Sequence, residues 1–241
     1  TNRKIITYGI SPKADIRAVN IKYSNEKMIF DVIYKGRKKD TLLLIKNVEF
    51  SMIGLHNVQN ALASIAIALE LDIKKKIIKS ALRSFKGVQR RFQLIDVYNK
   101  IKIIDDYGHH PEEIKSALSA TKLLNTNGKV LAIFQPHRYS RLKNHFEEFC
   151  TCFNDADEVI LMHVYSAGEK KIKNFESFNL ELGLRNYGHK NVVAIKKDDE
   201  IYDYINDRIN GYDIIIFLGA GDITKIAGNL KYNLNLMNKI L

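Results

Sequence analysis

Short apolar runs alternate with amphipathic segments through the second half of the chain, and this alternation predicts a layered fold. Fully apolar strands separated by helices are typical of a parallel sheet that is covered on both faces. With right-handed crossovers, such a sheet is doubly wound and binds its ligands at the carboxyl ends of its strands. The pattern predicts strands over 92–98, 101–105, 130–134, 158–162, 192–195 and 214–218, and helices over 111–124, 139–153, 175–187, 199–209 and from Asp222 onward.

The first half of the chain is richer in β patterns and ends in two helices. Apolar and polar positions alternate, stop at a turn and resume, which predicts a hairpin. Since the pattern changes at Gln89, we predict an α/β protein with two domains, 1–88 and 89–241. In the first of these, strands are predicted over 5–9, 19–23, 28–34 and 41–45, the hairpin turn over 24–27, and helices over 57–70 and 73–85.

The composition is that of a globular protein with a strong positive charge. The chain has 241 residues, 46% of them hydrophobic, and a formal net charge of +11. Such a charge points to an acidic partner, which could be nucleic acid, an anionic membrane surface or a phosphate-bearing small molecule. Much of the excess lies in two lysine-rich clusters, 37–39 and 74–76, on predicted surface. Aromatic residues do not interleave with these clusters, so a nucleic-acid groove is disfavoured.

Cysteine usage and hydropathy exclude several classes of protein. Cys150 and Cys152 are the two cysteines, and they are too few for a disulfide framework or a Cys-rich zinc site. A reducing cytoplasm is therefore the expected compartment. The sequence has no apolar run of about 18 residues, so we expect no membrane span. It begins at Thr1 with a strand pattern and no signal peptide, so we expect it to start inside a longer protein.

Two polar pairs in or next to the first domain are candidates for nucleotide contacts. Asn57 and Asn60 are three residues apart at the start of an Ala-rich helix, so they share a face and could present amides to a flat heterocycle. A role of Asn57 as a simple helix cap is the alternative. Arg90 and Arg91 stand at the domain junction, where a guanidinium could bind phosphate oxygens through two hydrogen bonds.

The densest polar segments, 105–110 and 135–141, follow two apolar strands of the second domain. Both are predicted at the ligand edge of the sheet, where their carboxylates, histidines and arginines could bind a carboxylate or phosphate and move an amine proton. A metal site is disfavoured, because adjacent histidines rarely bind one ion and no HxxxH spacing exists. Residues 219–222 resemble a phosphate loop but lack its third glycine, which favours a tight packing turn. Tyr165 and Glu169 follow another strand at the same edge.

Five strings together carry a resemblance to the Mur ligases, the ATP-dependent amino-acid ligases of peptidoglycan synthesis. The resemblance implies that residues 1–88 form the later portion of the central ATPase domain, β-rich and then helical. It also implies that residues 89–241 form the complete Rossmann-like C-terminal domain, with a mainly parallel sheet. The strings are Gly54-Leu55-His56-Asn57-Val58-Gln59-Asn60-Ala61, Phe85-Lys86-Gly87-Val88-Gln89-Arg90-Arg91-Phe92, Asp105-Asp106-Tyr107-Gly108-His109-His110-Pro111, Gln135-Pro136-His137-Arg138-Tyr139-Ser140-Arg141 and Leu218-Gly219-Ala220-Gly221-Asp222-Ile223.

The same resemblance implies a reaction and a set of site residues. The implied reaction joins L-alanine to UDP-N-acetylmuramate with ATP and Mg²⁺: the muramoyl carboxylate becomes an acyl phosphate, which the amine attacks. Cations would stabilise the developing charges, and an aspartate or histidine would take the ammonium proton. By this resemblance Asn57 and Asn60 would contact adenine, Arg90 would contact the γ-phosphate and Asp106 would contact the ribose. The catalytic residues would be Asp106, His109 and Arg90. The residues that bind the substrates would be Tyr107, His109, His137, Arg138 and Arg141.

The sequence also departs from the Mur ligase pattern. It contains no glycine-rich loop ending Gly-Lys-Thr, and the central-domain metal ligands and the UDP-binding domain of the family are absent. We therefore expect the 241-residue chain alone to be inactive and its partner to be the missing N-terminal half of the same enzyme. Two alternatives remain: a nucleotide- or amino-acid-binding module without catalysis, and a basic nucleic-acid-binding protein.

Overall fold

A computed structural model describes residues 3–36, 41–125, 127–195, 197 and 200–237. The chain divides into two compact units, Thr1–Gly87 and Val88–Leu241. Of the two basic clusters, 37–39 lies outside the described residues, whereas the lysines at 74–76 are exposed as predicted.

The first unit is a four-stranded sheet with two helices. The strands stand in sequence order, β1 and β2 are parallel, and the other pairs are antiparallel. Apolar side chains from the sheet and both helices, among them Phe30, Val48 and Ile65, form its core. The elements are β1 (Tyr8–Gly9), β2 (Ile16–Ser24), β3 (Lys27–Lys35), β4 (Leu42–Phe50), α1 (Leu55–Glu70) and α2 (Lys75–Ser84).

The predicted hairpin joins β2 and β3 and is confirmed. Asn25 and Glu26 both adopt positive φ angles, of 52° and 57°. A two-residue turn with two positive φ angles has the twist that antiparallel strands need. Other elements differ in extent from the prediction: the strand predicted over 5–9 is limited to Tyr8–Gly9, β2 begins three residues before the predicted start at Val19, and β4 continues five residues beyond the predicted end at Ile45.

The second unit is a six-stranded sheet covered by helices. Its order is β5-β6-β10-β7-β8-β9, and every neighbouring pair is parallel except β5 with β6. The mainly parallel sheet predicted for this half is therefore confirmed. The elements are β5 (Gln93–Tyr98), β6 (Ile101–Asp106), α3 (Pro111–Leu124), β7 (Val130–Phe134), α4 (Tyr139–Asn144), α5 (Phe146–Thr151), β8 (Glu158–Leu161), α6 (Ser177–Asn186), β9 (Val192–Ala194), α7 (Glu200–Asn206), β10 (Ile214–Leu218) and α8 (Ile223–Met237), with a 3-10 turn at Ile209–Gly211.

Both faces of this sheet are buried by helices. On one face, Ile133 and Phe217 pack with apolar residues of α7 and α8. On the other face, the ring of Phe134 lies 5.6 Å from that of Phe149 and 5.3 Å from that of Phe153. Burial on both sides explains why β7 and β10 contain no polar residue.

The prediction of one helix over 139–153 is wrong, because the structure has two helices there, α4 and α5. His145 leaves the helical conformation, with φ −124° and ψ 28°, and stands at the end of α4 and the start of α5. The buried positions Leu142 and Phe149 lie on either side of the break and keep a helical spacing. Periodicity therefore gave no signal for a break at a single residue.

No helix in the described part of the chain is both long and apolar enough to cross a membrane. The two cysteines are buried and free. Burial raises the pKa of Cys150 to about 11 and that of Cys152 further still.

Candidate functional site

The strand order of the second unit brings three chain segments together at the carboxyl edge of its sheet. Leu218, the last residue of β10, is in register with Asp106 on one side and with Phe134 on the other. Beyond the strands, the Gly219 amide donates to the Asp106 carbonyl at 3.1 Å, and the Gln135 amide donates to the Leu218 carbonyl at 3.0 Å. The polar strings that follow β6, β7 and β10 are therefore neighbours in space.

Arg90 is held against this edge by its backbone and its side chain. It adopts a positive φ of 58°, its amide donates to Gln93 Oε1 at 2.9 Å, and its carbonyl accepts from the Tyr107 amide at 2.7 Å. The guanidinium Nη2 donates to the Gly219 carbonyl, and the guanidinium carbon lies 4.9 Å from the centre of the Tyr107 ring. Such a cation over an aromatic face is attracted by the ring quadrupole.

Asp105 lies under Arg90 and is 2% exposed. Its Oδ2 accepts from Thr224 Oγ1 at 2.7 Å and lies 3.6 Å from Arg90 Nε. Burial raises the pKa of Asp105, while Thr224 and Arg90 act in the opposite direction. Asp105 Oδ1 and Arg90 Nε are buried without a hydrogen-bond partner in the described part of the chain.

Both carboxylate oxygens of Asp106 accept hydrogen bonds from backbone amides. Its Oδ2 accepts from the Phe92 amide at 2.7 Å and its Oδ1 from the Gly108 amide at 2.6 Å. Phe92 is a bulky residue at a positive φ of 49°, a strained conformation that this carboxylate helps to hold. Burial raises the pKa of Asp106 although both amides lower it. The predicted ribose contact would have to use the lone pairs that these amides leave over.

The turn after β10 is tightly packed, which explains its two glycines. Gln135 is fully buried, donates from Nε2 to Asp222 Oδ1 at 2.8 Å and accepts at Oε1 from the Ile223 amide at 3.2 Å. A Cβ at Gly221 would lie 2.3 Å from Gln135 Oε1 and 2.8 Å from Tyr165 Cγ, so no side chain fits there. The turn thus couples the ends of β7 and β10.

A histidine and arginine cluster lies beside this turn, at the start of α3 and α4. His109 Nδ1 lies 2.8 Å from the Tyr107 carbonyl and 3.4 Å from Glu113 Oε2. Because a carbonyl can only accept, His109 carries its proton on Nδ1, and its Nε2 is the acceptor in the neutral form. The His109 ring lies 5.8 Å from the His137 ring, which stacks on Tyr165 at 5.4 Å.

Arg141 is the centre of that cluster. Its Nε donates to His110 Nε2 at 3.1 Å, and its Nη1 approaches His137 Nδ1 at 3.0 Å and the His137 carbonyl at 2.9 Å. Burial and the Arg141 charge lower the pKa of both His110 and His137. The sequence predicted Arg141 and His137 in the site, whereas it did not predict that His110 binds Arg141.

Arg138 differs from Arg141, because it is exposed. It has a positive φ of 71°, its amide donates to the Tyr165 carbonyl at 2.8 Å, and its Nη1 lies 4.0 Å from Glu169. Glu169 accepts from the amide and the hydroxyl of Ser140, at 2.9 and 2.6 Å. These contacts attach the loop after β8 to the start of α4.

Asn57 and Asn60 belong to the first unit. Asn57 is 3% exposed, and its Nδ2 donates to the Ile53 carbonyl at 2.8 Å, whereas Asn60 is exposed and its Nδ2 lies 3.4 Å from Asn57 Oδ1. The residue at the start of α1 is Gly54, so Asn57 is not its N-cap. The two amides are in contact as the spacing predicts, and Asn60 is the one that a ligand can reach.

Two further residues of the site were missed by the sequence reasoning. Glu113 accepts from the amides of His109 and His110, at 3.0 and 3.2 Å, and its position three residues after His110 is the spacing of a capping box, a signal that could have found it. The ring of His145 lies 5.4 Å from that of His110, and this contact has no local signature. Within the described residues, no group of three or more His, Cys, Asp or Glu side chains could bind a metal ion.

Comparisons with known proteins agree with this architecture. Residues 90–221 match the Mur ligase, glutamate ligase domain, and residues 1–68 match the Mur ligase middle domain. A UDP-N-acetylmuramate–L-alanine ligase of Rhodospirillum centenum is 42% identical over 239 residues, which are 99% of this chain and 49% of that protein. One from Rhodopseudomonas palustris is 45% identical over 226 residues, 94% of this chain and 48% of that protein.

Solved structures agree as well. The UDP-N-acetylmuramate–alanine ligase of Thermotoga maritima superposes with a TM-score of 0.78 at 27% identity, over 96% of this chain and 48% of that one. The MurF ligase of the same organism, solved with ADP, shares the fold with a TM-score of 0.68 at 20% identity, over 96% of this chain and 49% of that one. The chain spans about half the length of the curated relatives it matches. With a domain match over more than half of its residues, the chain belongs to the Mur ligase family.

Proposed function

We propose that this chain supplies the amino-acid-binding part of an ATP-dependent ligase that joins L-alanine to UDP-N-acetylmuramate through an amide bond. The observation that carries the proposal is the sequence identity of 42–45% with ligases of that name over nearly all of this chain. In this proposal residues 1–88 are the later part of the ATPase domain and residues 89–241 the C-terminal domain. The reaction belongs in the cytoplasm, where ATP is available.

The residues present are suited to binding ATP. Arg90 Nε and Asp105 Oδ1 are buried without a hydrogen-bond partner in the described part of the chain, a state that native proteins resolve with a ligand or water. Within the second unit, Arg90 would bind a phosphate and Asp106 a ribose. Within the first unit, taken by itself, Asn60, supported by Asn57, would contact adenine. We assign no Mg²⁺ ligand, since the described residues contain no cluster able to hold the ion.

The histidine and arginine cluster would bind the substrates and manage one proton. When bound, ATP supplies the phosphoryl group that activates the muramoyl carboxylate. Arg141 and Arg138 would hold carboxylate charge, and His137 and Tyr107 would line the same edge. Since His109 donates from Nδ1 to the Tyr107 carbonyl, its Nε2 can take a proton from the alanine ammonium group. The free lone pair of the amine would then form the C–N bond to the activated carboxyl carbon, and inorganic phosphate would leave.

Reconstitution tests this function. The chain would be joined to the N-terminal half of the Rhodospirillum centenum ligase and assayed for phosphate release with ATP, UDP-N-acetylmuramate and L-alanine. We expect release that requires both substrates and falls by about 100-fold or more in Arg141→Met, the scale on which charge-stabilising groups act. The chain alone, which contains no Gly-Lys-Thr, should give none. A folded chimera that binds ATP without amide formation would instead support a binding module.

A further inference from the structure

Three of the five N–H bonds of Arg141 are used inside the protein. Nε donates to His110 Nε2, and Nη1 donates to the ring and the carbonyl of His137. Nη2 makes no hydrogen bond to any described residue, so its two N–H groups are available to a ligand. Because a guanidinium is planar, the hydrogen bonds at Nε and Nη1 also fix the direction of Nη2, which suits a carboxylate oxygen.

This arrangement is possible only while both histidines are neutral. A guanidinium has donors and no acceptor, so His110 Nε2 and His137 Nδ1 must each accept. His110 therefore carries its proton on Nδ1 and His137 carries its proton on Nε2. Protonation of His110 would set an N–H against the Nε–H of Arg141 and place two positive charges about 3 Å apart.

The surroundings of His110 fix its ring at this position. Its backbone amide donates to Glu113 Oε2, and its ring packs against those of His109 and His145, at 5.2 and 5.4 Å. The titratable and charged groups that face the His110 ring are Arg141 from α4, His145 from the break between α4 and α5, and His109 and Glu113 from the start of α3. Arg141 is itself faced by Arg138, Glu169, His137 and Tyr107. Apart from the two carboxylates and Tyr107, these groups are cations or can become cations, so they favour the neutral imidazole.

We propose that His110 is a positioning residue, whose neutral ring orients Arg141 so that Nη2 points at a substrate carboxylate. That the carboxylate belongs to the ligase substrates rests on the function proposed above. The orientation itself rests only on the contacts of Arg141, and it can be tested without turnover. Below the pKa of His110 the orientation is lost.

Arginine side-chain NMR on the whole chain provides the first test. At pH 7.5 the Nε–H of Arg141 should exchange with solvent about 3- to 10-fold more slowly than in His110→Phe, the protection that an ordinary hydrogen bond provides. His110→Gln, which keeps an acceptor, should restore part of it, and Lys143→Gln, at an exposed position of α4, should leave it unchanged. Protection that is equal in wild type and His110→Phe, or that does not fall as the pH is lowered, would overturn the proposal.

Kinetics in the reconstituted ligase provide the second test. His110→Phe should raise the KM of one carboxylate substrate by about tenfold at pH 8, the effect of one well-oriented hydrogen bond to a charged group, with a smaller change in kcat. His110→Gln should remove the acid limb that the wild-type pH profile owes to His110. If the chimera is inactive but Arg141 is protected, the ligase function fails and the positioning role stands. An active chimera that is indifferent to His110→Phe refutes the positioning role alone.

Discussion

Removal of the Asp106 carboxylate should strongly destabilise the second unit, because both of its oxygens accept from backbone amides. Each of its carboxylate oxygens accepts one backbone amide, from Phe92 at 2.7 Å and from Gly108 at 2.6 Å. The residue is 5% exposed and stands at the end of β6, where its hydrogen bonds link Phe92, just before β5, to Gly108 in the loop before α3. In Asp106→Ala both amides lose their acceptor, and the left-handed backbone at Phe92 loses its restraint.

The size of the effect follows from the two buried donors. A buried donor left without a partner costs about 1–3 kcal/mol, so Asp106→Ala should lower the free energy of unfolding of this unit by roughly 2–6 kcal/mol. Asp106→Asn retains one acceptor but turns an NH₂ group toward the other amide, so its cost should be about 1–3 kcal/mol. The free energy of unfolding should therefore decrease from wild type to Asp106→Asn to Asp106→Ala, in the order of the number of acceptors that remain.

Native-state hydrogen exchange followed by mass spectrometry measures this effect in the second unit alone. Peptides from β6 and β10 should exchange roughly 30-fold faster or more in Asp106→Ala at pH 7, because each 1.4 kcal/mol is a factor of ten. Asp96→Asn is the matched control. Its carboxylate pairs with Lys231 at the surface, at 2.8 Å, so its loss should cost less than about 1 kcal/mol. Equal exchange in wild type and both Asp106 variants would show that the hydrogen bonds of Asp106 do not stabilise this unit.

Three further outcomes are expected. His110 and His137, which accept from Arg141, have pKa values below the ordinary histidine value of 6.5, so the unfolded chain binds more protons than the folded chain as the pH falls through this range. The urea midpoint of unfolding should therefore fall as the pH drops from 7 to 5, and it should fall less in Arg141→Met. Burial raises the pKa of Cys150 to about 11, so neither thiol should react with a disulfide reagent at pH 8 until urea unfolds the chain; rapid reaction of the folded chain would contradict this. Gly221→Ala should destabilise the second unit by about 1–3 kcal/mol, because its Cβ would overlap Gln135 Oε1, and an unchanged melting temperature would exclude that clash.

Most helices and strands of this protein were predicted from residues that are close together in the sequence. Helix α3 has the predicted bounds Pro111–Leu124, since a proline at its first position marks its start. β7 and β10 also have their predicted bounds, because a five-residue apolar run between polar turns identifies a strand buried on both faces. The break at His145 was not predictable in this way, as it changes one residue's backbone and no apolar spacing.

The element types, the mainly parallel second unit and the segments that carry the polar chemistry all follow from the amino-acid sequence, because each depends on residues close together in the chain. Which of those polar groups meet depends on the tertiary structure. β10 enters the sheet between β6 and β7, so the Gly219 carbonyl reaches Arg90, 129 residues away in the chain. Likewise His110 accepts from Arg141 across 31 residues. Such contacts depend on strand order and loop path, which are set by packing of the whole sheet and leave no mark on local sequence.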